Sequence, residues 1–151
     1  MRDTLLIIHI LAAATWFGTN MVQVAINPGI HKRDAAIASF WHTTVAQLAR
    51  IVYMPASMVS LVTGILLLTV VDDSPYAFSD TFVSIGFVMI IVGASMGMAF
   101  FAPTSRKAAA AYDAGDVEAA AQFEKKIAMG GMLDTVLMVL TVAAMVGKWG
   151  V

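Results

Sequence analysis

The sequence has no cysteine, only four prolines, and charged residues at 13% of its 151 positions. Without cysteine there is no disulfide framework, no thiolate nucleophile and no cysteine metal site, and the redox state of the compartment leaves no mark. A soluble domain carries about 25% charged residues. The scarcity here, beside a hydrophobic content of 60%, places the chain in a lipid bilayer. A net charge of −1 offers no basic footprint for nucleic acid. Internal repeats are absent, and the single low-complexity tract is Ala108 to Ala111. The length allows one bundle and no second domain.

Four apolar segments remain, at about 4–26, 47–71, 81–102 and 127–147. Each is long enough to span the hydrocarbon core, which takes about 20 residues. The start, with Arg2 and Ala12-Ala13-Ala14, has the outline of a signal peptide, but the apolar run continues far beyond and reads as a retained span. Pro28 closes the first segment, Pro75 lies in the loop after the second, and Pro103 ends the third. Pro55 sits inside the second and predicts a kink near Ile51.

Seven of the nine Lys and Arg residues (Lys32, Arg33, Arg50, Arg106, Lys107, Lys125, Lys126) fall in the first and third connections. The positive-inside rule then puts those connections in the cytoplasm and both termini outside. The second connection is acidic, with Asp72, Asp73 and Asp80. Ile37, Phe40, Trp41, Val45, Leu48 and Ile51 recur at helical spacing opposite Ser39, Thr43 and Gln47, predicting an amphipathic cytoplasmic helix that runs into the second span. Residues 104–112 extend the third span, and Asp116 caps a helix that enters the fourth. Trp41 and Tyr112 are expected at the inner membrane boundary, Tyr76 and Trp149 at the outer.

His9, Trp16, Asn20, Gln23 and Asn27 interrupt the first span at spacings of 7, 4, 3 and 4. On a helix they lie within roughly 60° of one another. An unpaired polar group in hydrocarbon costs several kcal/mol, so this stripe must face protein. Aligned by depth, His9, Trp16 and Asn20 stand level with Gly86, Gly93 and Gly97 of the third span. The glycines serve either close packing, as in the GxxxG of Gly93 and Gly97, or room for a flat cofactor. The same face is the candidate seam for a homo-oligomer.

His9 is either hydrogen-bonded to a neighbour, for which Thr141 stands at the right level, or a ligand of iron, copper or zinc. Met145 and Met89 lie near that level and could add a thioether. The pairs Met54 and Met58, Met96 and Met98, and Met129 and Met132 fit either core filling or copper handling. Asp134 is the one acid within a span, and insertion of such a charge costs at least about 2.5–3.5 kcal/mol. Arg50 is the cation expected to answer it, through Asn20, Gln23 or water. Arg50, Met54, Ser57 and Gly64 share one helical face, as do Asp134, Met138, Thr141 and Met145.

As a set, His9, Trp16-Phe17-Gly18, Pro55, Gly64-Ile65-Leu66 and Lys148 resemble a family of predicted integral membrane proteins of about this size. That family is itself similar to the membrane domain of the copper resistance D proteins and to HemJ-type protoporphyrinogen oxidases. The resemblance implies a four-helix membrane fold, a haem ligand at His9, or metal uptake. The HemJ-type enzymes also carry an Arg near the end of helix one, a Lys in helix three and an Asn-Glu pair in helix four. At the corresponding places this chain has Ala25-Ile26-Asn27-Pro28-Gly29, no Lys, and Leu133-Asp134-Thr135.

The expectation is an all-α, up-down four-helix transmembrane bundle with cytoplasmic helical extensions, multi-pass in the inner (plasma) membrane. Its polar central cavity would bind haem b through His9, with Trp16, Asn20, Gly86, Gly93 and Met145 around the cofactor. The alternatives are a transporter of copper or another small solute, and a structural subunit without ligand.

Overall fold

The computed structural model describes residues 1–71 and 75–151 and is helical almost throughout. Four long helices carry the fold: α1 (Arg2–Ile30), α2 (Ala35–Thr69), α3 (Thr81–Asp113) and α4 (Val117–Gly147). All four are long and apolar enough to cross a membrane, which makes the chain a multi-pass membrane protein. They run 29 to 35 residues, or about 44–52 Å, well beyond a hydrocarbon core of about 30 Å. Every helix therefore protrudes. Ile7, Leu11, Val88, Ile91, Leu133 and Val136 point outward, where lipid satisfies them.

Cross-helix contacts give the direction. As α1 advances through His9, Gln23 and Asn27, its partners on α2 retreat through Thr63, Tyr53 and Trp41. Between α3 and α4, the Phe82 N–H donates to the Trp149 carbonyl at one end and Tyr112 meets Glu124 at the other. The bundle is up-down. Both termini lie at one end, here the termini side, with the 70–80 connection, in which Asp72 and Asp73 fall outside the described residues. The tight turns at 31–34 and 114–116 lie at the other, the turn side. Asp34 accepts from the Ala36 N–H at 3.0 Å, and Asp116 from the Ala119 N–H at 2.9 Å, so both helix starts are capped. Gly115 supplies the positive φ, 74°, that the second turn needs.

Pro55 and Pro103 act alike. A proline has no N–H to donate, and its ring presses on the carbonyl four residues back. Ahead of each, the helix widens into a π turn, Ala49–Tyr53 in α2 and Gly97–Phe101 in α3. The Met54 N–H reaches the Ala49 carbonyl and the Ala102 N–H the Gly97 carbonyl, both five residues back. Pro103 thus does not end the third helix, which continues to Asp113. Nor does Pro28 close the first, which runs on to Ile30. A π turn holds one residue more than an α turn, so the helical phase slips across it. Arg50, expected to face inward with Met54, Ser57 and Gly64, lies within the turn and is exposed for this reason; Met54, beyond it, is exposed as well.

On the turn side, α2 and α3 meet through small buried residues. Ala38, Ser39 and Ala46 face Ala102, Ala108 and Ala109. The predicted amphipathic orientation holds in part: Val45 is buried and Thr43 and Gln47 are exposed, as expected, but Ile37, Phe40 and Ile51 are exposed while Ser39 and His42 are buried. Close backbone approach decides this, because between membrane helices small residues pack better than large ones. The alanine tract is part of that seam. Tyr112 is likewise buried in this layer, clustered with Ile30, Ala38 and Ala120 rather than at a lipid boundary. Trp41 donates to Asn27 Oδ1 at 2.7 Å.

Candidate functional site

His9 lies on α1 with its imidazole against α2. Its Nδ1 is 3.0 Å from the Ser60 carbonyl and 3.0 Å from Thr63 Oγ1. The Thr63 hydroxyl spends its own proton on the Val59 carbonyl at 2.6 Å. Both partners of Nδ1 are therefore acceptors, so Nδ1 carries the proton and Nε2 keeps its lone pair. Among the described residues Nε2 has no hydrogen-bond partner. Gly64 lets the ring lie close; a Cβ there would stand 3.4 Å from Cε1. Ser60 and Thr63, not Thr141, are the partners of His9, and the Thr141 hydroxyl donates to the Leu137 carbonyl at 2.8 Å. In hydrocarbon a threonine hydroxyl finds its own helix carbonyl first.

Two clefts meet at His9, of about 390 and 470 Å³. Gly86 and Met145 line both. Their walls are otherwise largely apolar. The smaller opens to the termini side, where Arg2 and Lys148 stand on its rim. Lys148 ends α4 in the left-handed conformation, φ 49°. That backbone turns its ammonium over the rings of Tyr76 and Phe82, at 4.7 and 4.6 Å from the centroids. Partial burial, and then the charge on Arg2, hold it below the ordinary lysine range. The larger cleft continues along α4 past Thr141 to Met138, and Met89 lines it from α3.

A second level lies deeper. The Asn20 amide donates to Asp134 Oδ2 and to Thr135 Oγ1, both at 3.1 Å. Gln23 donates to the Tyr53 hydroxyl at 2.6 Å. Asn20, Gln23, Tyr53 and Asp134 border a chamber of about 30 Å³, room enough for water, with the polar partners to hold it. Asn20, Gln23 and Asp134 are all buried, as the stripe demanded. Arg50 does not join them. Its side chain is exposed, and among the described residues it makes no ion pair. The π turn brings Ala49 and Tyr53 to the chamber in its place.

Between the two levels stands a dry layer of Trp16, Ala56, Met89 and Met138, with Tyr53 edge-on to Trp16 at 6.2 Å. Trp16 covers Gly93; a Cβ there would come within 2.8 Å of the indole Cη2. Gly86 is covered by the Met145 methyl, and Gly97 has nothing within 4 Å. The expected match by depth holds, since His9 shares both clefts with Gly86 and Asn20 shares the chamber with Gly97, but only Trp16 packs directly on its glycine, Gly93. His9 takes Gly64 of α2 instead. The chain itself covers Gly86 and Gly93 and leaves Gly97 open. The expected polar central cavity shrinks to the chamber at Asp134, and the ligand-sized spaces are largely apolar. Of the residues expected around a cofactor, His9, Gly86 and Met145 share both clefts and Trp16 lines the larger, while Asn20 and Gly93 belong to the chamber. The paired methionines do not converge: Met54, Met58, Met98, Met129 and Met132 are exposed. Among the described residues no three His, Asp or Glu gather to hold a metal.

Sequence reasoning missed a third cluster, on the turn side. His42 is fully buried and stacks on Tyr112 at 5.9 Å. Glu124 Oε1 accepts from His42 Nε2 at 3.0 Å and from the Tyr112 hydroxyl at 2.8 Å. Among the described residues His42 Nδ1 has no partner. The available signal was the run of small residues on the same face, Ala38, Ser39, Ala46 and Ala49, which marks it as the packed one.

No protein-family model, curated protein or solved structure matches the chain.

Proposed function

We propose that this protein binds haem b, with His9 Nε2 as the iron ligand. The observation that carries the reading is the committed Nδ1. A ligating histidine donates its other ring N–H to a carbonyl or carboxylate, which sets the tautomer and the ring orientation. His9 does so to Ser60, leaving a free lone pair where two apolar clefts meet. Their volumes fall in the range of small-molecule sites, about 300–1,000 Å³. Met145 lines both clefts and Met89 only the larger, so Met145 is the better placed thioether to hold the group together with His9. Haem, when bound, would supply a redox-active iron, whose potential a thioether ligand raises. The chain's own part is to orient the imidazole through Ser60 and Thr63, to surround the plate with apolar side chains, and to keep water out through the Trp16 layer.

A path for a solute is the weaker reading, because the dry layer at Trp16 interrupts any polar route between the two levels. The positive-inside count of seven against two supports a plasma-membrane orientation with both termini outside. A reporter fused after Val151 that is active only in the cytoplasm would reverse it.

The test is spectroscopic. Protein purified in detergent and titrated with haemin is expected to develop a sharp Soret band, with His9→Ala abolishing it and Met145→Leu shifting it. No Soret change in the wild type, or an unchanged spectrum in His9→Ala, would end the haem assignment.

A further inference from the structure

The chamber at Asp134 has no part in holding haem. We infer that it is a binding site for one hard monovalent cation, sodium. Asp134 supplies the charge, and the amide oxygens of Asn20 and Gln23 supply neutral ligands.

The orientation of the amides carries this. The Thr135 hydroxyl donates to the Gly131 carbonyl at 2.7 Å, so toward Asn20 it can only accept. Asn20 therefore turns its N–H edge to Thr135 and Asp134 Oδ2, which leaves its carbonyl oxygen over. Gln23 likewise gives an N–H to the Tyr53 hydroxyl. Asn20 Oδ1, Gln23 Oε1 and Asp134 Oδ1 accept from none of the described residues. Nor are these three oxygens sealed off. Among the described residues, the buried polar atoms sealed without a partner are His42 Nδ1, Ser60 Oγ and Ser105 Oγ. Asn20, Gln23 and Asp134 are all buried, so the open space their oxygens reach is the chamber they border.

Among the described residues no Lys, Arg or His pairs with Asp134. The remaining three, Asp72, Asp73 and Ser74, are not cationic. A carboxylate within a span is costly, and such residues mark ion sites and ion pathways. The π turns point the same way. The Met54 N–H goes to Ala49 and residue 55 is proline, so the Arg50 carbonyl loses its regular helical donor. The Ala102 N–H and Pro103 do the same to the Met98 carbonyl. Ala49 and Tyr53 of one turn, and Gly97 and Phe101 of the other, border the chamber. Membrane helices interrupted at mid-depth use freed carbonyls of this kind to hold sodium.

The donor set selects the ion. Oxygen ligands suit hard cations rather than copper. One carboxylate balances one charge, and a divalent ion would leave an excess in a low-dielectric interior. A space of about 30 Å³ favours sodium over the larger potassium. The dry Trp16 layer closes the chamber toward the termini, so the ion exchanges from the turn side.

The experiment uses the whole protein in detergent, in mildly alkaline buffer with choline replacing sodium. It reads the binding of radioactive sodium and the thermal midpoint. The wild type should bind one sodium per chain saturably, and its midpoint should climb with the logarithm of sodium concentration. Potassium should act more weakly and choline not at all. Asp134→Asn keeps the shape and removes the charge, and should weaken binding by at least about a hundredfold. Gln23→Leu keeps the carboxylate and should weaken binding by about tenfold; it carries the test if Asp134→Asn does not fold. No saturable sodium binding by the wild type overturns the site and leaves a water beside a neutral acid. Binding unchanged in Asp134→Asn or in Gln23→Leu overturns its placement in the chamber. An equal response to potassium overturns sodium as the ion.

Discussion

The link between Asn20 and Asp134 can be weighed directly. Both side chains are at least nine-tenths buried, at 6% and 5% exposure, and one amide serves Asp134 and Thr135 together. Replacing Asn20 by Leu keeps the branched shape, adds some bulk and removes the donor. By the scale of soluble proteins, breaking a buried charged pair costs about 3–5 kcal/mol, and a hydrogen bond to a charged group about 1.5–3 kcal/mol. Interhelical hydrogen bonds in membranes measure less, about 0.6 kcal/mol on average and 1.7 at most. The chamber decides between these scales. Its space of about 30 Å³ lets a water approach Asp134 once the amide is gone, so the loss should sit at the upper end of the membrane scale, about 1–2 kcal/mol. Reversible unfolding in mixed micelles of the wild type, Asn20→Leu, Asp134→Leu and the double variant gives the coupling. About 1 kcal/mol or more is expected, with the double variant losing less than the sum. The matching cycle of Asp134→Leu with Arg50→Gln should be additive within about 0.3–0.5 kcal/mol. Additivity in the first cycle, or coupling in the second, would refute the placement of Asn20 inside and Arg50 outside.

Gly93→Val puts methyl groups into the Trp16 indole, and overpacking of this kind costs about 1–3 kcal/mol; a thermal scan in detergent should show a clear loss, and Trp16→Leu in the same chain should recover part of it. Glu124→Ala strips His42 Nε2 and the Tyr112 hydroxyl of their shared acceptor. The loss should be at least about 2 kcal/mol, and hydrogen exchange should quicken in α2 before residue 48 and leave the His9 level unchanged. Gly115→Ala forces a side chain into a positive φ of 74° at about 1 kcal/mol, read as a small drop in melting temperature.

Much of this architecture could be read from residue order. The four spans, the inward stripe of Trp16, Asn20 and Gln23, the Asp116 cap and the meeting of Trp16 with Gly93 all follow from a regular helix in a medium that cannot solvate polar groups. What escaped was irregular or non-local. A wheel of 100° per residue assumes an unbroken α-helix, and the π turn at Ala49–Tyr53 violates it, so Arg50 was turned to the wrong side. The partner of His9 is a backbone carbonyl, which no side-chain pattern announces. His42 and Glu124 lie 82 residues apart and meet only because α2, α3 and α4 all extend past the membrane core.

The two π turns sit side by side at the chamber, one in α2 and one in α3, and between them they divide the molecule in register. In an uninterrupted helix, a residue gained or lost rotates everything beyond it by about 100° and turns a buried face to lipid. At a π turn that rotation has already been taken up within a few residues. In α2 and α3 the face turned inward on the termini side, with its histidine and clefts, is therefore out of phase with the face turned inward at the alanine seam, while α1 and α4 carry one phase from end to end.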